Sequence, residues 1–432
     1  MSTNQSSNKK LGKQTNAIHF GYDKDSQQTM SVPIYQTTAY AFDSSLQASN
    51  RFSLQELGNI YSRLTNPTCD VLEKRLSVLE GGAASIVTAS GSAALFYAIT
   101  NLAGSGDNVL VANKIYGGST TLLFHTLKRF GIKAIEFDID DLSTLESKID
   151  SKTKAIFFET LSNPQIAVAD IEALTSIAKK HKVITIADNT VATPILCNPF
   201  KHGVDVITHS LSKYISGQGS VLAGAVIERE GLNELIKDNP RYAHFNEPDS
   251  SYHGLVYTSV PLPNYTLRIR IALLRDIGAT LSAFNAWLVI QGLETLALRI
   301  KKHSKNALKI AKFLASHPKV ESVSYPALES DRYHALAKKY FYKSYSSGLV
   351  SFVYKGSEEE TRKVVDSTSI FSIVVNIGDT KSLIVHPAST THSQLSESEL
   401  KEVGILPNLI RLSIGIEDFK DLKEDLEEAL GK

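Results

Sequence analysis

VITIADNTVATPILCNPFKHGVDVITHSLSKY, residues 183–214, contains two apolar runs, 183–187 and 205–208, that read as β-strands. The first stops on an acid, Asp188, at the carboxyl end of its strand, which is where open α/β sheets place their ligands. The second stops on a cluster of small polar residues, Ser210 and Ser212, followed by Lys213. Outward from this stretch, short apolar runs alternate with helical patterns from about residue 68 to 230, the signature of β-α units around a mainly parallel sheet. Strands are expected at 85–88, 108–112, 155–158 and 221–227 as well. A helix is expected over 68–79, ending on Gly81-Gly82, and a crossover helix over 170–181, acidic at its start and basic at its end.

Beyond this block the pattern changes. Residues 240–265, PRYAHFNEPDSSYHGLVYTSVPLPNY, are rich in Pro, aromatic and turn residues and too long for an ordinary connection. A helical zone follows over 276–316, with Gly292 expected to interrupt it. Strands near 348–354, 370–376, 383–385 and 410–413, with helices over 358–366 and 419–430, complete a smaller α/β domain. The expected division is an N-terminal arm at 1–67, a large domain at 68–275 and a C-terminal domain at 276–432.

Composition narrows the classes of function. The chain has 432 residues, 42% hydrophobic and 21% charged, enough to bury a large core. Lys plus Arg number 46 against 45 Asp plus Glu, so no global field draws it to nucleic acid or an anionic membrane. Cys69 and Cys197 lack the spacing of a disulfide framework, a zinc knuckle or a redox pair, and read as packing residues in a reducing compartment. The first sixteen residues have no apolar stretch of the signal-peptide kind, and no run of roughly eighteen apolar residues occurs. The expectation is a cytoplasmic protein with no membrane and no nucleic-acid partner.

A third element, TASGSAALFYAI at 88–99, turns from a strand through Ser90, Gly91 and Ser92 into a helix, so that free backbone amides and the helix dipole converge on a point suited to a phosphate. Taken singly, each element has an ordinary reading: a turn acid, a solvated lysine, a small-residue helix start. Together they supply a phosphate cradle, an amine able to form an imine and a carboxylate able to keep a ring nitrogen protonated. Those are the protein parts that pyridoxal 5'-phosphate requires. The glycine fingerprint of a dehydrogenase and the P-loop of an NTPase are absent from the sequence.

The ordered segments VPIYQTTAY (32–40), NIYSRLTNPT (59–68), TASGSAA (88–94), YGGS (116–119), ETLSNP (159–164), ADNT (187–190), HSLSKY (209–214), SLIVHPASTTHS (382–393) and IRLSIGIED (410–418) carry a resemblance. The chain is similar, over nearly its whole length, to the cystathionine γ-synthase-like pyridoxal-phosphate enzymes of cysteine and methionine metabolism. That resemblance implies the type I pyridoxal-phosphate-dependent transferase fold, an α/β architecture with a mainly parallel seven-stranded sheet in the large domain. It implies that Lys213 carries the cofactor, that Asp188 partners the pyridine nitrogen, and that Gly91, Ser92, Ser210 and Ser212 cradle the phosphate. Tyr116 would stack on the ring, Asn163 would sit near the phenolic oxygen, and Arg411 with Ser382 would clamp the substrate α-carboxylate. Tyr61 and Arg63 would reach the phosphate of a neighbouring subunit, which implies a homo-oligomer, a tetramer built as a dimer of dimers. Ser92 replaces a Met or Gln of many relatives, and Gln218 a His, so the resemblance assigns no role to the Gln218 side chain.

Finer features point within the family. The insertion EPDSSYHGLVY (247–257) and the segments 284–307 and 376–395 resemble the O-acetylhomoserine sulfhydrylase subgroup. Lys381 stands where cystathionine enzymes tend to carry an acid, and Gly118 where methionine γ-lyases place a cysteine. The implied reaction is γ-replacement on O-acetyl-L-homoserine by sulfide, giving homocysteine and acetate in methionine biosynthesis, with Lys213 as base and Tyr116 and Tyr61 assisting proton movement. Cystathionine or methionine γ-lyase and cystathionine γ-synthase remain the alternatives, as do a succinyl leaving group and a thiol or carrier-protein sulfur donor. His209, His386 and His392 are read as hydrogen-bonding residues, with no metal site expected.

Overall fold

The computed structural model describes residues 11–390 and 404–431. The helix expected over 68–79 spans Pro67–Glu80 (α1), and its ends follow from its sequence. The Asn66 side chain accepts from the Thr68 amide, Pro67 needs no donor in the first turn, and Gly81 takes the left-handed geometry (φ 76°) that terminates the helix. Leu72, Leu76 and Leu79 are fully buried, each gaining about 2 kcal/mol from leaving water.

Among the described residues seven strands form the first sheet: Gly82–Thr88 (β1), Asn108–Ala112 (β2), Lys133–Phe137 (β3), Thr153–Glu159 (β4), Ile184–Asp188 (β5), Val206–Ser210 (β6) and Gly224–Arg229 (β7). Their order is β1-β7-β6-β5-β4-β2-β3, with β7 antiparallel to both neighbours and the other pairs parallel. Central parallel strands are covered on both faces, so β2, NVLVA, is buried throughout and reads as an unbroken apolar run. The sheet edge β3, KAIEF, exposes Lys133 and Glu136, and that charge hid it from the hydrophobic pattern. Between β1 and β2 lies Gly91–Thr100 (α2), capped by the Ser90 hydroxyl, which accepts from the Ala93 amide. The crossover helix is Ile171–Lys180 (α3), capped by Asp170.

The zone expected over 276–316 contains one uninterrupted helix, Ala283–Ala315 (α4). Gly292 does not break it. A Cβ there would stand 2.3 Å from the Ser216 carbonyl oxygen, so this glycine serves close packing instead. The second sheet has, among the described residues, five strands: Val320–Ser324 (β8), Leu349–Tyr354 (β9), Ser372–Ile373 (β10), Leu383–Val385 (β11) and Leu409–Ser413 (β12), ordered β10-β11-β12-β9-β8. The strand expected over 370–376 pairs only at 372–373, because the Asn376 amide turns back onto the Val374 carbonyl and bends the chain out of the sheet. Glu358–Asp366 (α5), held by a Ser357/Glu360 capping box, and Phe419–Leu430 (α6) complete this layer. The first half of α4 packs into the core of the large sheet and its second half into the core of the small one. No helix among the described residues is long and apolar enough to cross a membrane.

Candidate active site

Sheet register brings the chemistry together. Glu159 pairs with Asp188 across β4 and β5, Asp188 with Thr208 across β5 and β6, and Ser210 with Gly224 across β6 and β7. The carboxyl ends of three adjacent parallel strands therefore present Glu159, Asp188 and Ser210 side by side. They open into a cavity of about 250 Å³. Its walls include Gly91, Ser92, Tyr116, Asn163, Asp188, Ser210, Ser212, Lys213 and Arg411, that is, nine of the twelve residues expected from the sequence.

At one end of the cavity the first turn of α2 approaches β6 closely. A Cβ on Gly91 would meet the Ser210 Cβ at 2.7 Å, and one on Gly224 would meet the Ser90 carbonyl oxygen at 2.1 Å. Glycine at both positions lets the helix amides come down onto the strand ends, and the Ser210 amide is steadied by donating to the Thr190 hydroxyl at 2.8 Å. The Ser212 hydroxyl is buried and exchanges hydrogen bonds with Ala223, accepting from its amide at 2.9 Å and donating to its carbonyl at 3.2 Å.

The Asp188 carboxylate accepts from the Thr190 amide at 2.9 Å and from the Thr208 hydroxyl at 3.2 Å. Both donors are neutral and hold the carboxylate in place. Lys213 Nζ donates to Asn376 Oδ1 at 2.6 Å, and burial, reinforced by the Arg411 charge, pulls the amine below the usual lysine range. Arg411, on β12, donates to Asn163 Oδ1 at 3.0 Å and to the Asn376 carbonyl at 2.9 Å, while its Nε has no hydrogen-bond partner. Burial lowers this guanidinium to about 10, so it remains a cation at neutral pH. The Tyr116 ring lies against the turn that follows it, for a Cβ on Gly118 would stand 2.4 Å from Tyr116 Cε1.

Three expected residues lie off the cavity wall. Ser382 is fully buried, and its hydroxyl donates to Glu417 Oε2 at 2.9 Å and accepts from the Gly415 amide at 2.8 Å. Tyr61 and Arg63 are exposed, with the Arg63 guanidinium 5.2 Å from the Tyr61 ring centroid. The insertion also stays off the wall. Its Tyr257 is buried, and its Tyr252 hydroxyl donates to the Phe52 carbonyl at 2.9 Å, bracing the arm that carries Tyr61 and Arg63.

Glu159, Thr190, Thr208 and Asn376 are site residues that the sequence did not mark out. Glu159 is buried, its Oε1 accepts from the Tyr116 amide at 2.7 Å, and burial together with the neighbouring Asp188 charge lifts its carboxyl well above the usual range. A signal for it existed: β4 ends in an acid as β5 does. Of the histidines, His209 Nε2 meets Glu80 Oε1 at 2.6 Å in full burial, and His386 lies between the Ser389 hydroxyl and the Pro407 carbonyl. His392 lies outside the described residues. Both cysteines are buried, and burial pushes the Cys69 thiol up to about 12. Among the described residues no group of three or more His, Cys, Asp or Glu side chains gathers as a metal site would require.

These residues fit pyridoxal 5'-phosphate. The Gly91 approach leaves helix amides free for a phosphate, Lys213 offers an amine depressed toward its nucleophilic form, Asp188 is a carboxylate held by neutral donors, and Arg411 keeps a buried N–H donor unspent. Because the neutral amine attacks an aldehyde, uptake of the cofactor by the stripped protein should accelerate with pH and level off below the ordinary lysine value of 10.5. Stopped-flow absorbance across a pH series checks this. An inflection at or above the ordinary value would contradict the desolvation of Lys213.

Comparison with known proteins agrees with this geometry. The family described as Cys/Met metabolism PLP-dependent enzyme matches residues 14–431. The chain is 43% identical over 427 residues to O-acetyl-L-homoserine sulfhydrylase of Leptospira meyeri, with 96% of each chain covered. It is 42% identical over 421 residues to homocysteine synthase of Schizosaccharomyces pombe, with 96% of this chain and 97% of the other covered. A crystal structure from Campylobacter jejuni subsp. jejuni, which contains N'-pyridoxyl-lysine-5'-monophosphate, superposes with a TM-score of 0.96 at 61% identity, covering 98% of this chain and all of that one. The chain belongs to the pyridoxal-phosphate-dependent enzymes of cysteine and methionine metabolism.

Proposed function

We propose that this enzyme replaces the acetoxy group at Cγ of O-acetyl-L-homoserine with sulfide, giving L-homocysteine and acetate in methionine biosynthesis. The observation that carries the reading is that Lys213, Asp188 and Arg411 share one cavity in a chain 43% identical, over 96% of its length, to an O-acetyl-L-homoserine sulfhydrylase. Pyridoxal phosphate, when bound, supplies an electron sink for the charge left as protons leave carbons of the substrate. The chain's own residues do the rest. The α2 amides with Ser210 hold the phosphate, Asp188 keeps the ring nitrogen cationic, and Tyr116 covers the ring face. Arg411 binds the α-carboxylate with its planar fork. Lys213 Nζ removes the proton at Cα and then one at Cβ, and returns protons once acetate has left and sulfur has bonded to Cγ. Its depressed affinity for a proton suits a base working near neutrality.

The Arg411 environment favours this substrate orientation, since Asn163 and Asn376 occupy two edges of the guanidinium and leave Nε toward a third acceptor. The arm that ends at residue 67 delivers Tyr61 and Arg63 to a neighbouring subunit's phosphate, and the assembly is a tetramer of paired dimers in the cytoplasm. Co-expressed Arg63→Ala and Lys213→Ala chains should regain activity, because a mixed dimer restores one intact site. Random pairing gives roughly a quarter of the wild-type site density. Mixed oligomers as inactive as either parent would place Arg63 outside the shared site.

Homocysteine formation from acetylhomoserine in the presence of sulfide, compared with succinylhomoserine, cystathionine and methionine as substrates, tests the reaction. Oxoacid and ammonia release from cystathionine with no consumption of sulfide would replace this reading with a γ-lyase.

A further inference from the structure

Along most of its length α4 buries an apolar face, but one narrow stripe of it is polar and still buried. Gly292, Arg299, His303 and Asn306 follow one another at spacings of seven, four and three residues. At about 100° per residue, those spacings confine them to a strip about 60° wide. Arg299 is 8% exposed, and burial lowers its guanidinium with no carboxylate partner among the described residues to offset it. Its guanidinium instead donates to the carbonyls of Tyr214 (2.6 Å), Ile215 (2.9 Å) and Gly292 (2.6 Å), and its Nε to the Thr295 hydroxyl at 3.2 Å. A buried cation without a counter-ion is costly, and here the offset comes from backbone carbonyls met in a fixed fork. Tyr214 and Ile215 directly follow Lys213.

The rest of the stripe continues the same contact. The backbone at 215–216 rests on the helix at Gly292, where a Cβ would lie 2.7 Å from the Ile215 oxygen and 2.3 Å from that of Ser216. His303 meets the Tyr214 ring edge-on, centroids 5.3 Å apart, and its Nδ1 bonds the Ile414 carbonyl at 2.7 Å. Asn306 donates to the carbonyls of Gly415 (3.2 Å) and Glu417 (2.8 Å). Residues 414–417 directly follow β12, which carries Arg411. One helix face thus grips the backbone just after the lysine and the backbone just after the arginine.

We propose that this stripe, centred on Arg299, fixes Lys213 Nζ relative to the Arg411 guanidinium, making Arg299 a positioning residue for the reaction. The inference rests on the assignment of Lys213 and Arg411 to cofactor and substrate. A stripe that served folding alone would affect stability and nothing else. A misplacement of the reacting amine acts on turnover, where about 1 Å is worth ~10²-fold.

The test uses the cofactor-loaded enzyme and four variants, Arg299→Met, Arg299→Lys, Gly292→Ala and Leu314→Ala. Leu314 is buried in the second core on the same helix and serves as a control for lost stability. Four quantities are read: the pH midpoint of the absorption change of the lysine-bound cofactor, kcat, KM and the melting temperature. Arg299→Met should move the absorbance midpoint and lower kcat by ~10- to 10²-fold with a smaller change in KM. Arg299→Lys, which keeps the charge but gathers its donors on a single nitrogen, should recover part of both. Leu314→Ala should melt earlier with the absorbance midpoint and kcat unchanged. If Arg299→Met melts earlier while its absorbance midpoint and kcat match the wild type, the proposal is wrong. Should that variant not fold, Gly292→Ala decides, since its methyl pushes on the same turn without removing the charge; an unmoved midpoint and kcat there would equally overturn it. A wild-type enzyme with no lysine-dependent absorbance would instead remove the assignment of Lys213 itself, an outcome distinct from unresponsive variants of a normally coloured enzyme.

Discussion

Lys213→Ala should lower turnover by at least ~10⁴-fold, because under the proposed assignment the covalent anchor and the general base disappear in one truncation. The same change leaves the fold intact and does not destabilise the cofactor-free protein at neutral pH. The sign follows from the direction of the lysine's shift. Burial disfavours the protonated amine in the folded state, so its folded pKa lies below its unfolded one. Below the folded value both states hold the proton, and the folded chain bears the desolvation penalty. That penalty fades as pH rises from the folded value to the unfolded one. Alanine removes it along with one hydrogen bond to Asn376. Calorimetry of the stripped variant near pH 7 should therefore give a melting temperature equal to or above that of the stripped wild type. A large fall in stability would mean that Lys213 is a structural residue, and residual activity within tenfold of wild type would remove it from the chemistry.

Arg411→Ala acts on a different term. It deletes a buried fork whose partners, Asn163 Oδ1 and the Asn376 carbonyl, are then left without donors, and under the proposed assignment it leaves the substrate carboxylate unpaired. Removing one partner of a buried charged pair costs about 3 kcal/mol, so kcat/KM falls by ~10²-fold, chiefly through KM. Arg411→Lys should fail to restore it, because a point charge cannot reproduce the fork that meets Asn163, Asn376 and a carboxylate together. Steady-state kinetics on acetylhomoserine check both. An unchanged KM in Arg411→Ala would place the carboxylate clamp elsewhere.

Much of the site was legible in the sequence because its parts sit at strand ends. A run that stops on Asp188, another that stops on Ser210, Ser212 and Lys213, and a strand that turns into a helix at Gly91 all announce themselves locally. Register then does what no local pattern can: it sets Glu159 against Asp188 and lifts its carboxyl, a pairing that depends on the order of strands. Resemblance located Ser382 but could not say which way its hydroxyl points, and that is decided by Glu417 and the Gly415 amide. The edge strands β3 and β8 escaped notice because edges carry the polar residues that blur alternation. Gly292 looked like a helix breaker because propensity counts only the helix it sits in. Its reason lies in the backbone of residues 215 and 216, and the same long-range contact keeps Arg299 out of any motif.

The most direct test of the account is covalent. Borohydride reduction of the cofactor-loaded enzyme followed by peptide mass mapping should place the phosphopyridoxyl group on Lys213 alone. A label on another lysine, or none on the peptide containing Lys213, would contradict it.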